Sequence, residues 1–309
     1  MTPSTAPVVV IGELLVDVVH TPDGQTAEHV GGSPANVALG LARLGHDTWF
    51  ATLVGTDERG IRCRKHVESG GVRLLAGSTS PAHPTSTAAA TIDESGAASY
   101  VFDLHWNLPR VQLPAGTGHL HIGSIGTTLR PGDVEVTDAV QRARPTATVS
   151  YDPNVRPTIM GAVDEVRARV EELVALSDVV KCSEDDIGWL YAGSTPSEVM
   201  SRWAELGAAL TVVTLGPDGV TWRAASGEED SEPAQVIGVV DTVGAGDSFM
   251  AGLVSGLLDD GLLGSHDARE RLLVAGLGQV RPAIDRAPTT SGVTVRRAGA
   301  YAPTREEIR

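Results

Sequence analysis

The segment DTVGAGDSF, residues 241–249, sets two carboxylates on either side of a Gly-Ala-Gly turn and runs directly into a helical pattern. Phe249, Leu253 and Leu257 recur every four residues, with Met250, Val254 and Leu258 beside them, which predicts one broad apolar stripe. The remaining positions, Ala251, Gly252, Ser255 and Gly256, are small, so the other side is expected to pack closely and the helix to be buried. A buried helix starting at Gly246-Asp247 aims unpaired backbone N–H groups and a positive dipole end at whatever precedes it, which makes an anion site. Gly244 and Gly246 lack a Cβ, which lets the backbone curl so that consecutive amides converge on one point. Taken alone, Gly-x-Gly-Asp reads more readily as a tightly packed helix start with Asp247 as its cap.

Two other places change that balance. GGSPANVALGLARLG, residues 31–45, reads as a Gly31-Gly32 loop before a helix that carries Ala35, Val37, Ala38, Leu41, Ala42 and Leu44 and stops at Gly45. Such a loop admits a ligand close to the backbone, and Asn36 in the first turn brings a donor and acceptors suited to a polyhydroxyl compound. Asp17 is the only charge in LLVDVVH, where a carboxylate is costly unless donors such as sugar hydroxyls meet it. An exposed edge-strand position accounts for Asp17 equally well.

These residues need a frame. Short apolar runs at 8–12, 48–55, 119–124, 147–152, 177–182 and 210–216 alternate with stretches of helical spacing, which predicts a mainly parallel sheet covered by helices on both faces. LLVDVVH follows the first strand too closely to be a helix. TSTAAATID and AASYVF, joined by Glu94, Ser95 and Gly96, read as a hairpin. Both are expected outside the main sheet, as a small β-sheet lid over the crevice where open α/β sheets bind ligands. SGEEDSEP, residues 226–233, reads as a solvated loop after the hairpin VVTLGPDGVTW.

Composition narrows the partners. With 309 residues and 41% hydrophobic content, one large α/β domain is the expectation. A net charge of -15 speaks against nucleic acid or an anionic membrane, though a small anion held by amides, arginines and a cation is compatible with it. Two cysteines, Cys63 and Cys182, are too few for a disulfide framework. The N-terminal stretch has no basic region and meets Glu13 and Asp17 early, so a cytoplasmic location is expected. His119 and His121 share a strand face, but with no third ligand evident they read as a packed, hydrogen-bonded pair. Neither a Walker loop nor the Rossmann glycine fingerprint is present.

From Gly12 to Ala300 the chain resembles the ribokinase-like, or PfkB-type, carbohydrate kinases. The Gly-Gly motif near the N-terminus and DTxGAGDxF near the C-terminus stand in that family's order and spacing. The resemblance implies one ribokinase-like domain over 1–309, with a lid from about 13–30 and 85–110, and lids that pair into homodimers. It implies that Asp247 takes the proton of a sugar's primary hydroxyl, while Gly244, Ala245, Gly246 and the Asp247 backbone form the hole for the transferred γ-phosphoryl group of ATP. Asp17, Gly31, Gly32 and Asn36 are implied for the sugar, with Arg156 of YDPNVRP reaching the pocket. Thr214 and Gly216 are implied for the nucleotide, with Asn154 and the segment from Lys181 to Asp186 near the phosphates and Mg²⁺. Asp241 is implied for a monovalent cation such as K⁺, with carbonyls near Val243, Thr294 and Gly299.

The chain also departs from the family. Ser183-Glu184-Asp185-Asp186 stands where relatives often have Asn-x-x-Glu, the lid stretch SYVFDLHWNLP looks shortened, and Pro288 interrupts the helix expected before residue 300. Kinases of phosphorylated sugars tend to carry lysine after the double glycine, and here Ser33 follows it, which favours a neutral sugar. GELLVD and GGSPANVA point to fructokinases. Ribose, a nucleoside and 2-keto-3-deoxygluconate remain alternative acceptors, the last through Arg156. A sugar-sensing protein without turnover is the alternative outside enzymes.

Overall fold

The computed structural model describes residues 6–21, 23–92, 98–234 and 238–309. The turn expected at Glu94, Ser95 and Gly96 lies outside them. In chain order the strands are β1 (Val8–Ile11), β2 (Leu15–His20), β3 (Thr26–Gly31), β4 (Thr48–Ala51), β5 (Arg73–Leu74), β6 (Thr87–Ile92), β7 (Ala98–Asp103), β8 (His119–Gly123), β9 (Thr148–Asp152), β10 (Val179–Ser183), β11 (Leu210–Thr214), β12 (Val220–Arg223) and β13 (Glu229–Glu232). The helices are α1 (Ser33–Arg43), α2 (Glu58–Ser69), α3 (Gly132–Ala143), α4 (Pro157–Met160), α5 (Val163–Val174), α6 (Glu184–Leu190), α7 (Pro196–Leu206), α8 (Ala245–Asp259), α9 (His266–Leu272) and α10 (Leu277–Thr294).

The main sheet runs β13-β12-β11-β10-β9-β8-β1-β4-β5. It is parallel from β11 to β5, and β12 and β13 add an antiparallel edge. Alternation along β1 shows why both faces are covered: Val8 and Val10 join the core under α1, α8 and α10, whereas Val9 and Ile11 join the core under α3, α5 and α7. Each such side chain taken fully out of water contributes about 1.5–3 kcal/mol.

The second sheet, β3-β2-β6-β7, forms the lid. Its inner face is tied down by Val16 and Val18, which reach the α1–α8 core, and by Glu28 of β3, which pairs with both Arg59 and Arg62 of α2.

Two sequence expectations need correcting. Residues 229–232 are an edge strand, not a loop; their acidic side chains point outward, with Arg223 holding Glu229 and Arg281 holding Glu232. Pro288 does not end its helix, because α10 runs through both Pro282 and Pro288 to Thr294. Packing overrides the lost hydrogen bonds: a Cβ on Gly252 of α8 would sit 2.6 Å from Thr290 Oγ1, and one on Gly256 would sit 2.5 Å from the Ala283 Cα. The small residues of α8 are therefore the contact surface for α10, and α8 is buried as its sequence predicts.

Candidate active site

The ends of the parallel strands deliver the site. Just past β1, β8 and β9 lie Glu13, Ser124 and Asn154, Ser183 and Thr214 end β10 and β11, and α1 and α8 bring their N-terminal turns to the same edge.

Asp247, in the first turn of α8, is buried and turned toward α1. Ser33 Oγ donates to its Oδ1 at 2.6 Å, and Asn36 Nδ2 donates to its Oδ2 at 2.8 Å. Two donors leave two of the carboxylate's roughly four acceptor positions open. The side chain is thus oriented by α1 and not lodged in its own helix as a cap; no side-chain cap bond is made at this terminus.

The amides beside it are largely free. Gly244 is the N-cap, in the left-handed region at φ 73°, and its carbonyl accepts from Ser248. Among the described residues, the N–H groups of Gly244, Gly246 and Asp247 meet no protein acceptor. Ala245 differs from expectation: its amide donates to the Thr242 carbonyl at 3.1 Å, because the left-handed turn at Gly244 folds the chain back on itself. Only glycine suits position 244, where a Cβ would meet Ala300 at 2.6 Å.

The double glycine has a comparable reason. A Cβ on Gly31 would strike the Asp17 carboxylate at 2.1 Å, and one on Gly32, at φ 113°, would strike the Glu13 carbonyl at 2.4 Å. Asp17 is thus packed against Gly31 and the Glu13 carbonyl against Gly32, one residue before the helix turn whose Ser33 and Asn36 hold Asp247. Burial raises the Asp17 carboxyl above its ordinary value, against the charges of His29 and Arg156. Arg156 itself is exposed and folded onto its own loop, donating to Asn154 Oδ1 at 2.7 Å and the Val155 carbonyl at 2.9 Å, so it acts on Asp17 and Glu13 by charge and not by contact.

On the nucleotide side, Thr214 lies beside Ser183 in the sheet register and Gly216 is exposed at the next turn. Lys181 is buried under the first turn of α8, paired with Asp152 at 3.0 Å. Asp186 is fully engaged in structure: it accepts from Val155 N and closes a capping box with Ser183. That leaves Asn154 and the exposed Glu184 and Asp185 as the residues able to meet a hydrated cation.

Around the expected monovalent-cation position, Asp241 accepts from Val243 N at 3.0 Å and Gly299 N at 2.8 Å, which holds its carboxyl below the ordinary value. Thr294 does not join them. Its hydroxyl is shared among Ser248, Thr290 and Tyr301, and its carbonyl accepts from Arg297.

Three residues at this edge carry little signal in the sequence: Ser33 stands out only where a lysine is absent, Asp152 only as one residue of YDPNVRP, and Glu13 only as an early charge. Glu13 lines a pocket with Leu14, Ser86, His105, Trp106 and Gly126, between the lid and the end of β1. Burial pushes its carboxyl up to about 7, against the Ser124 hydroxyl, its own amide, the Gly126 amide and Arg156. As expected, His119 and His121 are buried and bonded to Thr148 and Ser150.

A mainly parallel sheet with helices on both faces, a β-lid, and an acid beside free helix amides define a phosphotransferase of the ribokinase-like class. The match to the pfkB family carbohydrate kinase model covers residues 5–307, and the chain belongs to that family. It is 31% identical to a fructokinase of Escherichia coli over 98% of each chain. Among solved structures, a double-mutant fructokinase from Vibrio cholerae O395 in a fructose, ADP and potassium ion bound form matches with TM-score 0.81 and 26% identity over 100% of this chain and 98% of that one. An aminoimidazole riboside kinase from Salmonella enterica, complexed with aminoimidazole riboside and an ATP analog, matches with TM-score 0.78 and 26% identity over 98% of each. No helix among the described residues is long and apolar enough to cross a membrane.

Proposed function

We propose that this chain is an ATP-dependent kinase of a neutral sugar, with fructose as its acceptor. The carrying observation is the Asp247 carboxylate, held by Ser33 and Asn36 with acceptor capacity left over, next to the unbonded amides of Gly244, Gly246 and Asp247. Phosphoryl transfer asks for positioning and charge stabilisation, and those two features supply both. Asp247 accepts the proton as the sugar's primary hydroxyl attacks, and the amides hold the transferring oxygens. Asp17, Gly31, Gly32 and Asn36 hold the sugar under the lid, and the whole chain works as one kinase domain.

The free amides and the buried ammonium of Lys181 suit nucleotide phosphates, and Thr214 and Gly216 border that side. Asn154, Glu184 and Asp185 would hold Mg²⁺, which neutralises phosphate charge when bound. Asp241, with carbonyls at Val243 and Gly299, is the proposed K⁺ neighbour. Fructose is supported by the names of the relatives above and by Ser33, a neutral donor after the double glycine. The engagement of Arg156 with its own loop weakens the keto-deoxy-gluconate reading. Tyr100 and Val101, 57% and 69% exposed on the edge strand β7, support a homodimer joined through the lids.

A coupled ADP-release assay tests the reading across fructose, ribose, keto-deoxy-gluconate and a riboside, with Mg²⁺ and with or without K⁺. Fructose is expected to give the highest kcat/KM. Saturable sugar binding without ADP release would contradict the kinase and favour a sensor.

A further inference from the structure

The lid sets a histidine directly beside Asp17. Strands β2 and β3 are antiparallel, with Val16 opposite Val30, Asp17 opposite His29 and Val18 opposite Glu28. Side chains alternate across a strand, so this register sorts the two faces of the lid. Val16, Val18 and Val30 pack into the core, and Glu28 pairs with Arg59 and Arg62 of α2. Asp17 and His29 therefore share the other face, the one that leads into the double glycine: Asp17 Oδ2 lies 2.1 Å from the point where a Cβ on Gly31 would stand. Directly opposed residues of an antiparallel pair hold their Cβ atoms about 4.5–5.5 Å apart, close enough for both side chains to meet one sugar.

The rest of that face is uncharged. Ala88 of β6 flanks Asp17 on its other side, and Leu15, Val19, Ala27 and Gly31 complete the surround. Two cations act on the Asp17 carboxyl, and His29 acts more strongly than Arg156. Arg156 is bonded to its own loop, whereas His29 is exposed. Among the described residues, neither Asp17 nor His29 makes a side-chain hydrogen bond or ion pair, so both are open to a ligand. An ionised carboxylate only accepts hydrogen bonds and a protonated imidazole only donates them, so the two offer opposite polarity to adjacent oxygens of a polyol.

We propose that His29 is a specificity-determining residue of the sugar site: Asp17 accepts a hydrogen bond from one hydroxyl of the acceptor while His29, on the neighbouring strand, donates to an adjacent hydroxyl of the same molecule. This rests on the kinase reading above, which assigns Asp17 to the sugar. The contribution falls on sugar binding and not on the chemical step, because the base and the free amides belong to α8. His29 also acts through Asp17. Burial raises the Asp17 carboxyl and the His29 charge lowers it, so without His29 the carboxylate is lost as an acceptor at a higher pH.

The test uses the full chain with Mg²⁺ and follows kcat and KM for fructose across acidic and neutral pH. His29→Ala is expected to raise KM about tenfold while kcat changes by less than about twofold. The acid limb of kcat/KM is expected to move to higher pH in His29→Ala, and in His29→Lys, which keeps a cation, to stay at or below its wild-type position. Combined with Asp17→Asn, the loss from His29→Ala is expected to shrink, because both residues hold one ligand. Among fructose analogues that each lack one hydroxyl, the one missing the oxygen that His29 meets is expected to lose nothing from His29→Ala. A KM within about twofold of wild type, a kcat that falls with kcat/KM, an unmoved acid limb, losses that multiply with Asp17→Asn, or equal losses for every analogue overturns the assignment. A wild type that binds fructose without turnover overturns the kinase reading alone, and the calorimetric Kd then replaces KM in the same comparisons.

Discussion

Asp241 and Asp247 flank one turn, yet the fold treats them in opposite ways. Asp241 is partly exposed, and backbone amides of Val243 and Gly299 occupy its two oxygens. Asp247 is buried, and its oxygens meet side chains of a helix more than two hundred residues earlier in the chain. The first carboxylate shapes a loop; the second is presented to a crevice. The difference teaches that position relative to free amides, and not sequence proximity to the glycines, separates an acid held by its own loop from one that side chains of a distant helix hold beside a helix terminus.

The largest expected effect tests that distinction directly. Asp247→Asn is expected to lower kcat by about 10²–10⁴ while calorimetric binding of fructose changes little, as removal of a general base should. Loss of binding in the same proportion would make Asp247 a structural cap. Next, Gly244→Val should lower kcat about 10²-fold and reduce the thermal midpoint, because a side chain there enters an unfavourable φ and strikes Ala300. Asp241→Asn is expected to cost about tenfold or less, with the loss appearing as a weaker response to K⁺ in a titration of rate against salt.

A separate effect, read in stability and not in rate, concerns the buried carboxyl of Glu13. Glu13 titrates at about 7 in the folded chain against an ordinary 4.5. A folded-state pKa raised in this way gives stability that is complete below about 4.5 and is lost as pH rises through about 7. Glutamine cannot ionise, so the stability of Glu13→Gln relative to wild type should improve by about 3 kcal/mol between pH 4.5 and pH 8. Denaturant melts at several pH values read this out, and a pH-independent difference would contradict the buried, desolvated carboxyl.

Much of this arrangement is legible in the sequence because it depends on local pattern. The four-residue spacing from Phe249 to Leu258, with small residues on the remaining side, specifies a helix buried all round. Gly31-Gly32 and Gly244-Ala245-Gly246 announce backbone that must approach something closely. What stayed hidden depends on register and on competition for hydrogen bonds. The meeting of Lys181 and Asp152 follows from which strands are neighbours, and nothing in either local segment states it. Asp186 looks like a metal-facing acid in a run of acids, but Ser183 three residues earlier lets it close a capping box instead. Pro288 looks like a helix stop, and the contact of α10 with the glycines of α8 prevails over it.

A structure of the protein with fructose and a non-hydrolysable ATP analogue tests the central claim most directly. The sugar's primary hydroxyl oxygen is expected within about 2.6–3.2 Å of an Asp247 oxygen, with the terminal phosphate facing the amides of Gly244 and Gly246. A sugar bound away from Asp247, with the phosphate elsewhere than the first turn of α8, would contradict it.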